Sequence, residues 1–362
     1  MSVNTGISDI TERISDLFNK YACEKDFSGA GLVKAGERII YQGAHGFAHK
    51  GFGIKNTMNT RFDTASVTKL FTACAVLQLV ENGRILLNDS VTKYLGLEGT
   101  AISDKVTVYH LLTHTSGIAD DADEVAGESY EELFINKPNY SIRETVDFLP
   151  QFAYKTGNFE PGEGVRYNNC GFVLLGLVIE KASGMRYREY VKKLIFEKSG
   201  MMESDFCRMD GIFNNVAEGY VKTFDMERNF TGWRKNIYSF PPVGSPDGGA
   251  FTTVGDLDIF IHAFISGKLI GVKVADEMLV PRVTANKWDG CMEKIGYGFE
   301  FVTDLKGRII YIKKEGGNPG VDCQFAYYPS HDITIAILSN QDCNVWKLHR
   351  EIHEALKEAG TI

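Results

Sequence analysis

No run of apolar residues in the 362-residue chain approaches the length of about 18 that a spanning helix needs, so the sequence predicts no membrane span. Positive charge is in deficit. Lys and Arg number 39 against 47 Asp and Glu, a formal net charge of −8, which excludes the basic face of a nucleic-acid binder. Paired cysteines are missing as well. Cys23, Cys74, Cys170, Cys207, Cys291, Cys323 and Cys343 stand singly, odd in number and without a C-x-x-C. That pattern predicts reduced, mostly buried thiols in a reducing compartment rather than a disulfide framework. Internal repeats and low-complexity linkers are absent too. The opening residues, MSVNTGISDITERISD, carry early acids where a secretory signal has an apolar segment. Read as a native start, this predicts a cytoplasmic protein; a trimmed mature chain would read the same.

What is present is an ordinary globular composition, 44% hydrophobic and 24% charged, in a chain long enough for one large domain or two intimate ones. Residues 7–24 repeat apolar side chains at helical spacing. Gly29–Lys34 and Glu37–Gly43 read as strands joined by a tight turn at Ala35-Gly36. Asp63–Asn82 reads as a loop and then a long apolar helix, stopped by Gly83. Helical pieces and loops fill 84–210, where the acidic stretch Asp120–Glu132 predicts a solvated loop or lid. Tyr297–Thr303, Ile309–Lys314, Gln324–Tyr328 and Ile333–Ser339 read as strands, and Trp346–Glu358 as a terminal amphipathic helix. Strands at both ends with helices between predict an α+β fold. Its antiparallel sheet, built from both termini and flanked by helices, occupies 1–83 and 211–362; a mostly helical second domain occupies 84–210.

The chemistry gathers at Ser66-Val67-Thr68-Lys69, the head of the long helix. A spacing of three puts Ser66 and Lys69 on one face, so the amine reaches the hydroxyl. A serine is a poor nucleophile until a base takes its proton, and a lysine is a base only when burial or a neighbouring cation leaves it partly neutral. Alone, S-x-x-K occurs often by chance and fits a capping serine beside a surface lysine. Two further patterns accompany it. Tyr167-Asn168-Asn169 presents a phenol and an amide two residues apart on a turn, able to relay a proton and to hold a substrate amide or Lys69. Lys314-Glu315-Gly316-Gly317 places a cation beside glycines that let a ligand approach the backbone, a setting for an anionic or tetrahedral species.

These three motifs, in this order, resemble those of the serine β-lactamase and penicillin-binding-protein superfamily. The Y-x-N form of the second is similar to the class C branch, which also holds D-alanyl-D-alanine carboxypeptidases, D-aminopeptidases and carboxylesterases. Leu111-Leu112-Thr113-His114-Thr115-Ser116-Gly117-Ile118 resembles that branch's L-L-T-H-T-S-G-L. Residues 167–176 resemble its Y-S-N-x-G-Y-x-L-L-G, and residues 248–257 its G-G-L-x-S-T-A-x-D-L. The likeness runs from about Gly29 to Ser339.

The resemblance implies a β-lactamase-like fold and acyl transfer in two steps. Ser66 would be the acylated nucleophile, Lys69 its base or base partner and Tyr167 a proton shuttle. Asn169 would contact substrate or Lys69, and Lys314 would support the charges of Tyr167 and Lys69. The backbone N–H groups of Ser66 and Gly317 would form the oxyanion hole. No cofactor and no metal are implied, and the partner would be a small-molecule or short peptide substrate. An esterase or amidase on a small acyl substrate leads. A D-amino-acid peptidase, a penicillin-binding protein or a β-lactamase is the alternative, and a non-catalytic binding module a third.

Two positions depart from the pattern: Asn168 stands where Ser is usual, and Glu315 where Thr or Ser is common. That hydroxyl commonly helps bind a substrate carboxylate in the family. A glutamate facing the cleft would repel one, predicting a substrate without a carboxylate there. Other candidates have plainer readings. His114 reads as a buried structural histidine. His349 and His353, four apart but with Arg350 where a metalloprotease needs Glu, read as exposed helix residues. His45 and His49 lack a third ligand, and Cys170 has no family role. Trp233 and Tyr238 either line the cleft or lie in the core.

Overall fold

The structure, a computed structural model, describes residues 3–123, 126–288 and 290–362, with side chains from Ile10 onward. Helix α1 spans Val3–Glu24. The first hairpin follows: β1, Gly29–Ala35, and β2, Arg38–His45, turn at Gly36, whose φ of +52° suits a residue without a Cβ. Helix α2 runs Thr68–Glu81, and Gly83 with φ +63° follows its end. Short helical pieces lead to α3, Asn169–Ser183, and then to α4, Val254–Ile265. The last third holds β3 Val283–Trp288, β4 Cys291–Ile295, β5 Glu300–Asp304, β6 Ile309–Asn318, β7 Val321–Tyr328 and β8 Ile333–Ser339, closed by α5, Val345–Glu358.

The eight strands form one antiparallel sheet in the order β2-β1-β8-β7-β6-β5-β4-β3. Strand β8 pairs with β1 over its full length, Gly29 opposite Ser339 and Ala35 opposite Ile333, so the two chain ends meet in mid-sheet. Period-two alternation then sorts side chains to two faces. Ile333, Ile335 and Ile337 of β8 join Tyr328, Ile14, Phe18, Leu348 and Ile352 beneath α1 and α5. Ala336, Leu338, Phe325 and Ile312 join α2, α3 and α4 on the opposite face. Every residue of β7 and β8 is buried. The expected α+β architecture, an antiparallel sheet built from both termini and flanked by helices, is the observed one.

Several local expectations need correction. Tyr297–Phe299 is not strand: Gly298 takes φ +80°, where an added Cβ would sit 2.6 Å from Ala73, and β5 begins only at Glu300. Strand β6 does not close at Lys314 but continues to Asn318, turning at Gly320. The sequence reading missed β3, β4 and the separate hairpin Tyr220–Phe224 with Phe230–Lys235. The acidic stretch is not simply solvated, because Asp121 is buried; Glu124 of that stretch lies outside the described residues. His349 and His353 are not an exposed pair. His349 is buried, and the Tyr328 hydroxyl lies 3.3 Å from His349 Nε2 and 3.0 Å from His353 Nδ1. Among the described residues no helix is long and apolar enough to cross a membrane.

Candidate active site

Ser66 stands on a short 3₁₀ turn, Ala65–Val67, that leads into α2. The turn is strained. Ala65 has φ +41°, a left-handed value that a residue with a Cβ adopts at a cost. Its surroundings enforce it: Asp63 Oδ1 accepts the Ala65 N–H at 2.7 Å, and Gly249 N–H donates to the Ala65 carbonyl at 3.3 Å. The Asp63 carboxyl is buried, which pushes its pKa up to about 6 against the pull of the Ala65 N–H. The Ser66 hydroxyl meets the side chains of Lys69 and Tyr167.

Lys69, one turn on, is fully buried. Its Nζ lies 2.6 Å from Asn169 Oδ1, 2.6 Å from the Asp247 carbonyl and 3.0 Å from Ser66 Oγ. Two carbonyl oxygens therefore take two of its tetrahedral directions, and a third points at the serine. Tyr167 Oη lies 2.6 Å from the same Oγ. The Tyr167 ring centre is 4.9 Å from both Lys69 Nζ and Lys314 Nζ, and the His114 ring packs on it with centroids 4.7 Å apart. Burial, then the charges of Lys314 and Lys69, hold His114 well below the usual imidazole range. It is therefore neutral, and its Nδ1 accepts the Asn168 N–H at 3.1 Å, which leaves the proton on Nε2. This fits the structural reading of His114: it supports Tyr167 and fixes the turn that carries it.

Strand β6 brings the third motif alongside. Lys314 is buried, and its Nζ lies 2.5 Å from Glu300 Oε1 on β5. Burial raises the Glu300 pKa, but Lys314 and Lys313 outweigh it and hold the carboxylate below its ordinary range. Gly316 has to be glycine: an added Cβ would sit 2.3 Å from Thr64 O and 3.2 Å from Ser66 N. That close approach seats β6 against the Ser66 turn. Pairing with β5 stops at Lys313 opposite Glu300, so the segment carrying Gly316 and Gly317 is open on that side. Gly317 and Ser66 line one pocket.

Glu315 departs from expectation. Lys313 and Glu315 are two apart on β6, and Lys313 Nζ donates to Glu315 Oε1 at 2.7 Å. The next residue on that face, Gly317, would direct a Cβ at the Trp346 ring, 3.4 Å away, whereas Gly316 faces Ser66. Pleating thus turns Glu315 toward α5 and away from Ser66. The predicted electrostatic exclusion of a carboxylate by Glu315 has no basis here. Trp233 and Tyr238 do not border the pocket either. Lys50 lies over the Trp233 ring at 4.3 Å, and Tyr238 is exposed.

Sequence reasoning missed four further groups. Asp120 caps α3, its carboxylate accepting the Asn169 N–H at 2.9 Å and the Cys170 N–H at 3.0 Å, a favourable charge at a helix N-terminus. Asn169 Nδ2 lies 2.5 Å from Tyr130 Oη, which in turn donates to Asp121 Oδ1 at 3.2 Å. Burial, then the Asp120 and Asp247 carboxylates, push Asp121 up to about 7. Burial also raises Asp247, whose backbone carbonyl holds Lys69. The only local signal was the pair of acids at 120–121, which looks like any solvated loop.

The pocket over Ser66 measures about 800 Å³ with its open mouth. Phe134, Phe148, Met209, Phe240, Pro242 and Val243 supply apolar walls, and Asp63, Asp121 and Asp247 lie among them. No lysine, arginine or histidine is among the described residues that line it.

The antiparallel sheet, flanking helices and buried lysine beside a serine define a serine hydrolase with a β-lactamase-like fold. Residues 15–357 match the Beta-lactamase family, and the chain belongs to it. It is 30% identical over 349 residues to penicillin-binding protein 4* of Bacillus subtilis, covering 91% of this chain and 72% of that protein. It is 32% identical over 206 residues to esterase EstB of Burkholderia gladioli, covering 55% of this chain and 52% of that one. Among solved structures, a penicillin binding protein from Bacillus halodurans superposes with a TM-score of 0.86 at 33% identity, over 94% of this chain and 99% of that one.

Proposed function

We propose that the protein hydrolyses esters or amides of uncharged, apolar acyl groups through an acyl-enzyme at Ser66. The observation that carries the choice of substrate is the pocket lining: apolar walls, three carboxylates and no cation. A carboxylate-bearing acyl group would lose hydration there without gaining a partner. A neutral acyl group loses only water from apolar surface.

The geometry supports the following sequence. With Lys69 neutral, two N–H bonds go to Asn169 and Asp247 and the lone pair faces the Ser66 proton. Ser66 Oγ attacks the carbonyl carbon as its proton passes to Lys69. The oxyanion forms against the N–H groups of Ser66 and Gly317. Tyr167, hydrogen-bonded to Ser66 Oγ, hands a proton to the departing alcohol or amine and is reprotonated from Lys69. Water then attacks the acyl-enzyme, releasing the acid and restoring Ser66. Lys314 holds positive charge beside the Tyr167 ring throughout.

A second reading, hydrolysis of small amino-acid amides, is favoured by one observation. Asp121 and Asp247 border the pocket and suit an ammonium on the acyl side. Pre-steady-state hydrolysis of p-nitrophenyl butyrate by the protein and its Ser66→Ala variant tests the first reading. A burst lost in the variant supports acylation at Ser66, and a rate untouched by the substitution refutes the assignment. Faster turnover of phenylalanine p-nitroanilide than of its N-acetyl derivative would favour the second.

A further inference from the structure

The acyl pocket has a neighbour. A second cavity adjoins it, about 810 Å³ with its own open mouth, bordered by Phe213, Val216, Ala217, Ile237 and Val321 among others. Asp63, Cys207, Met209, Phe240 and Phe251 border both cavities, so the two share a wall. This partition stands next to the nucleophile: Phe251 pairs with Asp63 across a short two-stranded ladder, three residues before Ser66.

The rear cavity suits an apolar occupant. Its charged neighbours are engaged with partners of their own: Lys235 pairs with Glu218, and Arg208 Nη2 lies 2.8 Å from Asp210. Asn236 Nδ2 donates to the Pro319 carbonyl at 2.9 Å. Part of the partition is movable. Met209 is 39% exposed, and its unbranched thioether has several low-energy rotamers, whereas Phe251 and Asp63 are tied into the ladder.

Resting on the esterase reading above, we infer that the rear cavity is an acyl-chain site: a linear alkanoyl group esterified to Ser66 extends past Met209 into it. The ligand class is a medium-length saturated acyl chain, with its carbonyl in the front pocket and its tail behind the partition. The two cavities then act as one bent channel, and Met209 sets how freely a chain passes.

Chain-length profiles test this. Values of kcat/KM for p-nitrophenyl acetate, butyrate, octanoate and dodecanoate are measured for the intact protein, Val216→Trp, Ile237→Trp and Met209→Ala. Each methylene moved from water to an apolar site is worth about fourfold in affinity, so butyrate to octanoate should gain at least about tenfold. Val216→Trp fills the rear cavity and should abolish most of that gain. Ile237→Trp, at the half-exposed rim, gives the same reading should the first variant fold poorly. Met209→Ala should raise the octanoate-to-butyrate ratio. Two outcomes overturn the site while sparing the esterase reading: kcat/KM that falls beyond butyrate in the intact protein, or an octanoate-to-butyrate ratio unmoved in a folded Trp variant. Failure on every ester, with Ser66 also unlabelled by a fluorophosphonate, overturns the esterase reading and this site with it.

Discussion

The phenol of Tyr130 lies 2.5 Å from the Asn169 side-chain nitrogen and so decides which end of that amide faces Lys69. Tyr130 Oη accepts from Nδ2 and donates to Asp121, which leaves Asn169 Oδ1 to take the proton of Lys69 Nζ. Burial, then Asp121 and Asp120, hold the phenol well above its usual range, so it stays a donor. Tyr130→Phe removes the acceptor and frees the amide to turn its NH₂ toward the lysine. The expected result is a fall in kcat of roughly tenfold to a hundredfold with KM little changed. A loss confined to KM would assign Tyr130 to substrate binding instead.

Gly316→Ala tests the seating of β6 against Ser66. The added methyl meets Thr64 O at 2.3 Å and cannot be accommodated without moving the strand from Ser66. A displacement of about 1 Å costs on the order of a hundredfold in rate. We expect kcat/KM on p-nitrophenyl butyrate to fall by about that factor while circular dichroism shows the fold retained. Gly317→Ala, whose Cβ meets Trp346 at 3.4 Å, should cost much less.

Glu300 and Glu315 contrast a buried carboxylate with a half-exposed one. Glu300→Ala strands Lys314 as an unpaired buried charge, a change worth about 3–5 kcal/mol. Urea titration should show that loss, with activity falling alongside. Glu315→Thr should cost less than about 1 kcal/mol, because its pair with Lys313 is 37% exposed at the glutamate and Lys313 keeps Glu293 at 2.9 Å. It should also confer no activity on carboxylate-bearing substrates, since position 315 faces α5.

Asp63 couples stability to pH. Its folded pKa of about 6 lies above the ordinary 3.8, so the folded state binds the extra proton between those values. Stability from this group is present below pH 3.8 and is lost as pH rises through about 6, by roughly 3 kcal/mol in all. Asp63→Asn keeps an oxygen for the Ala65 N–H and cannot ionise. Unfolding free energies at pH 4 and pH 7 should therefore differ less in the variant than in the parent, by about that amount.

Local chemistry and periodicity carried much of this molecule into its sequence. Ser66, on the 3₁₀ turn, and Lys69, in the first turn of α2, are three apart, and that spacing puts them within reach. Tyr167 and Asn169 lie on the turn entering α3, whose start is marked by the capping Asn168. The run Ile333–Ser339 reads as a strand, and its bounds are those of β8. Facing and partnership were harder to read. Glu315 and Gly316 are neighbours in sequence, yet the pleat sends one toward α5 and the other toward Ser66; which is which depends on how β6 registers with β7. His349 looked like an exposed member of an amphipathic helix until α5 laid it against Tyr328.

The sequence by itself determined the α+β pattern and the three motifs in their order, because short spacings and apolar periods act within a few residues; the family came from the resemblance those motifs carry. Only the tertiary structure decided that Asp121, Tyr130, Asn169 and Lys69 form one chain of hydrogen bonds, that Glu300 neutralises Lys314, and that a second cavity adjoins the first. Those contacts join residues many positions apart. Their energies depend on burial and on the low dielectric it creates, and no local pattern of residues encodes either.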